Sequence, residues 1–356
     1  MNLRLLRSLV VASAIAFSAH LAGTGQSPLS SAALCTTAAV AATADAFAAT
    51  FAAHQFVFVG STHGDAKIDE FLTCLVSRPT FKQRVTDIVA EWASSGHQRL
   101  LDQYLFELAP VSRDSLAPVW FDTDAPTLWT TLPQVRRFLE ALREVNRNLP
   151  ATRRIRLLGG NEGIEWAKVR SPEDLAPYPF KTNFMVHLIP EHLARTPGNR
   201  TLVVYGDGHI RHDGRGFVSE LESTIDRSQL FVVGTIRDLH GGERDRVARF
   251  GDPARPFFVE APHFPAGAPS PSALRTSAEE RPDRLADYVD AVLYLGPEPD
   301  RDLRGSLPLS TAQQNELARR GAILSDPQRV MRVRYSGRAQ WFRAHPNDLP
   351  PRPQGR

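Results

Sequence analysis

The sequence predicts an α/β domain with a central, mainly parallel sheet flanked by helices on both faces. Three observations carry this. Short apolar runs of strand length recur along the chain, segments with apolar residues at helical spacing separate them, and several runs end in glycine followed by polar residues. Parallel strands need long crossovers, and helices are the usual ones.

The elements follow in chain order. Residues 1–22 read as a secretory signal peptide: Arg4 and Arg7 lead, an apolar core runs from Leu9 to Phe17, and Ala16-Phe17-Ser18 offers a small-x-small cleavage site. The apolar part is too short to span a bilayer, and the mature chain is expected to hold no transmembrane segment. It is placed in the periplasm or outside the cell. Residues 23–54 form an alanine-rich helical arm. In an oxidising compartment Cys35 and Cys74 can pair and pin that arm to the first helix of the domain. Two unrelated buried thiols are the alternative, and the sequence leaves both open.

The domain proper is assigned to 55–325. Strands are predicted at 56–59, 86–90, 154–158, 201–205, 230–235 and 290–295. Between them "KIDEFLTCLVSRPTFKQRV", "LPQVRRFLEALREVNRNL" and "KTNFMVHLIPEHLAR" carry apolar residues at helical spacing. Residues 250–286, dense in Pro, Ala and Ser, read as a loop inside the domain. The remainder, 326–356, is a C-terminal segment ending in a disordered tail, "AHPNDLPPRPQGR". The net charge of +3 comes from scattered arginines with no basic run, which argues against a nucleic-acid partner and leaves a small-molecule or peptide substrate.

Ligands of parallel α/β sheets bind beyond the carboxyl ends of the strands. "VGSTHGD" places His63 just after the first strand, and "YGDGHI" places His209 after the fourth, each behind a glycine that lets the chain turn sharply. Glu91, in "DIVAEW", ends the second predicted strand, and Asn161, Glu162 and Glu165 follow the third. Two imidazoles and a carboxylate suit either of two chemistries. A histidine acts as general base on water while the carboxylate orients it, or His63, His209 and Glu91 hold a divalent metal that acidifies the water. Around them stand Ser61, Asp65 (a ligand or the cap of the following helix), Gln98 and Asp102 (four apart on one helix face), Trp166, and Asp207 inside the second turn. His212, three residues after His209, is read as a solvated turn histidine, with a further ligand as the alternative.

Paired Gly-x-x-His turns on separate strands, with a Glu at the end of the strand after the first, resemble the superfamily of Tiki proteases, TraB proteins, erythromycin esterases and ChaN-like haem-uptake lipoproteins. The chain is most similar to secreted members of the erythromycin esterase/ChaN-like branch. The likeness runs from about 55 to about 325, through "GSTHGD", "DIVAEWASSGHQRLLDQYL", "IRLLGGNEGIEW", "VVYGDGHI" and "DAVLYLGP". It implies His63 and His209 as the paired site histidines and Glu91 as the site carboxylate. It also implies hydrolysis of an ester or amide bond, or a non-catalytic haem- or iron-binding role. The chain departs from the pattern at three places. Ser61 stands where relatives often carry a Glu, Asn161-Glu162-Gly163 replaces an Asp-Pro-Pro-like turn, and Lys181 replaces an arginine. Lysine keeps the charge that stabilises developing negative charge but loses the bidentate fork. A degenerate pseudo-enzyme is the third implied outcome.

Overall fold

The computed structural model describes residues 35–61, 63–64, 66–112, 114–214, 216–236, 247–264, 285–297 and 307–334. The predicted signal peptide, the extreme C-terminal tail and Asp65 lie outside the described residues. Seven strands form one sheet: β1 (Phe56–Ser61), β2 (Asp87–Ser94), β3 (Arg156–Asn161), β4 (Thr201–Gly206), β5 (Leu230–Ile236), β6 (Phe257–Glu260) and β7 (Ala291–Tyr294). Their order is β3-β2-β4-β1-β5-β7-β6, and every pairing is parallel except β6 with β7. The α/β class is therefore as the apolar runs predict.

One strand departs from the sequence reading. β6 lies within the stretch expected to be a loop. It is only four residues long, Pro256 precedes it and Pro262 follows closely, and it sits at the sheet edge, where proline costs no ladder bond. Its half-buried residues give no strong apolar signal.

Helices cover both faces. On one side pack α1 (Ala38–Ala49), α2 (Ala66–Ser77), α3 (Pro79–Arg84), the short α4 (Gln98–Leu101), α5 (Ala117–Phe121) and α6 (Pro126–Thr130), and α7 (Pro133–Arg147). The predicted helical stretch at 67–85 is split into α2 and α3 at Pro79, which takes the first position of the new helix. α7 buries Val135, Phe138, Leu139, Leu142 and Val145, an apolar stripe at helical spacing. The other face is covered by α8 (Lys181–Arg195) and α9 (Phe217–Leu221), which bury Phe184, Met185, Leu188, Phe217 and Leu221 against Phe58, Val203 and Val232. A last helix, α10 (Thr311–Ile323), and a helical stretch at 327–334 pack with Ile164, Trp166 and Val169.

The N-terminal arm is tied in twice. Phe47 and Phe51 are fully buried, Phe47 against Phe71 and Phe258 and Phe51 against Phe81. Cys35 and Cys74 form a disulfide, which selects the paired alternative. Closing a loop of 39 residues stabilises the fold by roughly 3–4 kcal/mol on the chain-entropy picture. Among the described residues no helix is long and apolar enough to cross a membrane.

The feature that shapes the site is a bulge in β2. Ala90 pairs with Gly159 but Ser94 pairs with Asn161, so β2 has four residue steps where β3 has two. The added residues include Glu91, and such a bulge re-aims side chains. Gly159 and Gly160 permit it. A Cβ on Gly159 would lie 2.5 Å from Ser95 N, and one on Gly160 2.8 Å from Ala90 O. The "LLGGN" of β3 is thus the counterpart of the bulge.

Candidate functional site

Glu91, His63 and His209 converge over the carboxyl end of β4, which lies between β2 and β1. Glu91 is 1% exposed. Its Oε2 accepts the backbone N–H of Gly206 at 2.6 Å, and its Oε1 meets the ammonium of Lys181 at the first turn of α8. His63 Nε2 stands 3.6 Å from Oε2, and His209 Nε2 stands 4.0 Å from Oε1. Both imidazoles keep an open edge, 27% and 35% exposed, while the carboxylate between them does not. His63 also packs edge-on against Trp129, with ring centroids 4.5 Å apart.

The glycines of the two turns bring these groups together. A Cβ on Gly206 would lie 3.1 Å from His63 Nε2 and 3.3 Å from His209 Cδ2, so any side chain there would push the rings apart. A Cβ on Gly60 would overlap the carboxylate of Asp207. Asp207 therefore folds over β1, where it meets the Thr235 hydroxyl of β5 at 3.4 Å, and ties the second turn across the sheet.

A second carboxylate, not singled out in the sequence, completes the charge balance. Asp124 lies in the loop between α5 and α6. Its Oδ1 accepts from Asn161 Nδ2 at 2.9 Å, and its own N–H donates to Asn161 Oδ1 at 3.3 Å. Burial alone would raise the Asp124 pKa, but Lys181, then Arg334, the Asn161 hydrogen bond and His209 outweigh it and hold the pKa below the ordinary carboxylate value. Lys181 mirrors this. Burial works against its ammonium, but Asp124 and Glu91 raise its pKa above the usual lysine value. His209 is held below the usual histidine value, first by burial and then by Lys181 and His63, with Glu91 opposing. It is a neutral imidazole at neutral pH. Behind the site, burial and the nearby Glu91 and Asp124 charges push the Tyr205 phenol well up, and it donates to Gly160 O.

A cavity of about 20 Å³ lies against His63 and Glu91, walled by Ser61, Trp92, Trp129 and Tyr205. It has room for about one water. Nothing here fits a divalent metal as the sequence reading allowed. Among the described residues no group of three or more His, Cys, Asp or Glu is arranged to hold one. The physical reason is Lys181: one Glu91 oxygen already carries an ammonium and the other a backbone N–H. A porphyrin does not enter the cavity either, and a haem would have to lie outside it against the open ring edges.

The remaining sequence candidates are distributed as follows. Ser61 lines the cavity, and Asn161 holds Asp124. Glu162 is buried and paired with Arg334 from the C-terminal helical stretch. Gln98 and Asp102 stand together away from the imidazoles. Asp102 takes both Arg156 Nε (2.8 Å) and Nη2 (2.7 Å), and Gln98 bonds Asp102, Leu157 O and Gly159 N, so the pair clamps β3 beside the bulge. Trp166 donates to Thr123 O at 3.1 Å and lines a separate cleft. His212 is not solvated as expected. It is enclosed between Glu222 (2.6 Å) and Asp290 (3.0 Å), because α9 and the turn before β7 fold back over it.

No family model matches the chain, and no curated protein matches it. Solved structures do. A succinoglycan biosynthesis protein aligns at 11% identity over 72% of this chain and 91% of that one, with a TM-score of 0.48. A protein from Bacillus cereus aligns at 11% identity over the same shares, with a TM-score of 0.45. ChaN of Campylobacter jejuni, a structure showing cofacial haem binding, aligns at 12% identity over 71% and 92%, with a TM-score of 0.38.

Proposed function

We propose that this chain is a hydrolase of an ester or amide bond in a small molecule or peptide, of the kind implied by its resemblance to the erythromycin esterase/ChaN-like branch. The observation that carries the reading is one buried carboxylate, Glu91, held by Gly206 N–H and Lys181 with two open-edged imidazoles beside it and a water-sized cavity at His63. His63 takes a proton from that water as its oxygen attacks the carbonyl carbon, and Glu91 stabilises the imidazolium that forms. Neutral His209 and the Lys181 ammonium face the negative charge that develops on the carbonyl oxygen. When the intermediate collapses, the bond to the leaving oxygen or nitrogen breaks and the imidazolium returns its proton to that group. The Cys35–Cys74 disulfide and the signal-like N-terminus support a secreted or periplasmic location.

The test is an ester and amide panel with the full chain. His63→Ala should lower kcat/KM at least about 100-fold, the contribution of a positioned base. Unchanged turnover in that variant would sink the assignment. Chelator should leave activity in place, and loss followed by rescue with a divalent ion would replace this route by a metal-dependent one. The open ring edges also admit the haem-binding reading. A Soret shift on haem titration that disappears in His63→Ala or His209→Ala would favour it, and a flat titration would remove it.

A further inference from the structure

Arg334 is 2% exposed although it lies beyond the last long helix, at the end of the helical stretch 327–334. Its guanidinium pairs with buried Glu162, donates from Nε to Tyr178 O at 3.1 Å and from Nη2 to Pro179 O, and lies over the Phe180 ring with 4.2 Å to the centroid. Three consecutive residues, 178–180, are thus gripped by one side chain. Phe180 is the residue before α8, and its carbonyl accepts the Phe184 N–H at 2.8 Å, the first hydrogen bond of that helix. Lys181, which follows it, is the residue that touches Glu91. On its other side Arg334 fixes Glu162, the neighbour of the Asn161 that holds Asp124.

The segment that delivers Arg334 is itself anchored. Arg329 donates to Glu173 at 2.8 Å, and Val330 packs with Ile164, Trp166, Val169, Leu175 and Ile323. A buried pair of this kind is weak evidence for stability, since well-packed apolar residues often replace one at no cost. What the arginine supplies here and an apolar residue cannot is a planar fork that joins two segments, the one after β3 and the one before α8.

We propose that Arg334 is a positioning residue for the Glu91 centre, holding the start of α8 so that Lys181 meets Glu91, and that the chain beyond α10 is therefore part of the site. What the site then does rests on the hydrolase reading, but the positioning does not. Burial lowers the Arg334 pKa to about 10, with Asp124 opposing, so the guanidinium is charged throughout the neutral range.

Amide exchange and histidine ring signals, read by NMR on the full chain, test it without any turnover. The double variant Arg334→Met with Glu162→Gln leaves neither member of the pair as an unpaired buried charge. It should melt close to the unaltered protein yet exchange the Phe184 amide at least about tenfold faster, with displaced ring signals for His209 and His63. Amides of α2 and α7 should keep their rates. Arg334→Lys, which retains the charge for Glu162 but not the fork or the ring stack, should likewise melt close to the unaltered protein and still exchange the Phe184 amide faster. Unaltered Phe184 exchange and unmoved ring signals in either variant would overturn the proposal. Faster exchange spread evenly over α2 and α7 would also overturn it, since that is general destabilisation. A chain with no esterase activity would leave these outcomes intact, so failure of one reading is separable from failure of the other.

Discussion

Two concave regions lie on either side of the loop at 122–124, and the smaller one is the proposed site. The cleft lined by His97, Asp122, Gly163, Trp166, Arg319 and Arg320 encloses about 700 Å³, against about 20 Å³ beside His63. Yet the charges of the cleft close on one another. Glu316 accepts from Arg319 Nε and Nη2 (2.7 and 2.6 Å) and from Arg320 Nε (2.7 Å), and Asp122 is shared between Arg320 and His97, each at 2.9 Å. At the centre one lysine serves two carboxylates, and the imidazoles stand just beyond direct hydrogen-bond distance of Glu91. The wall between them presents Asp122 to the cleft and Asp124 to the centre. The larger volume is thus a seam lined by mutually paired charges, and the smaller one adjoins the titratable cluster on which the proposed function rests.

Neutralising one acid on each side of the loop distinguishes the two regions most strongly. Glu91→Gln should lower kcat/KM by roughly 10²–10⁴-fold, because the carboxylate that balances both imidazoles is gone. Glu316→Gln, in the larger cavity, should leave kcat/KM within about twofold and lower the melting temperature by about 2–4 °C. Steady-state kinetics and calorimetry on both variants decide it. A turnover loss in Glu316→Gln as deep as in Glu91→Gln would show that the cleft, not the centre, is the reacting region.

The same contrast explains what was legible in the sequence. His63, His209 and Glu91 were readable because an apolar run ending in glycine fixes a strand end, and strand ends of a parallel sheet share one edge. The bulge was half-written in Gly159-Gly160, although its effect, carrying β2 on to Ser94, needed the partner strand to be seen. Asp124 and Arg334 left no local mark. Asp124 comes from a loop and Arg334 from a helical stretch that holds Glu162 and residues 178–180, and which acid pairs with which base is decided only by tertiary packing. His212 escapes a local reading for the same reason, since its two carboxylate partners come from the residue that caps the end of α9 and from the turn before β7. Gln98 and Asp102 do bond each other at the helical spacing of four, and Arg156, which gives the pair its purpose, lies on a strand.

A second comparison uses the wall itself. Asp124→Asn keeps an oxygen for Asn161 but removes one of the two charges that raise the Lys181 pKa and one that supports His209 protonation. Turnover should fall about tenfold, an order of magnitude less than for Glu91→Gln, with KM little changed. Asp122→Asn should spare turnover and cost about 1 kcal/mol of stability, since Asp122 and its His97 partner are partly solvated, although Arg320 is buried. Denaturant unfolding and kinetics on the pair measure both, and equal turnover in the two variants would erase the distinction between the faces of the loop.

The smallest expected effect separates the regions by pH. His209 has a folded pKa below its ordinary value near 6.5, so below about pH 6.5 the unfolded chain binds more protons than the folded one at this site. Its contribution to stability is therefore complete above 6.5 and is lost as pH falls toward the folded value. Glu316 is also depressed, from 4.5 to about 2, by hydrogen bonds from Arg319 and then Arg320 acting against burial. Its contribution is complete above about 4.5 and is lost between there and about 2. Stability should thus fall in two windows, the upper belonging to the centre and the lower to the cleft. Unfolding free energy followed across pH should lose the upper slope in His209→Gln and the lower slope in Glu316→Gln. Because both side chains are partly exposed, each step should be modest, about 1 kcal/mol or less. A slope that persists in its own variant would mean that the charge responsible lies elsewhere, and would move the boundary between the two regions accordingly.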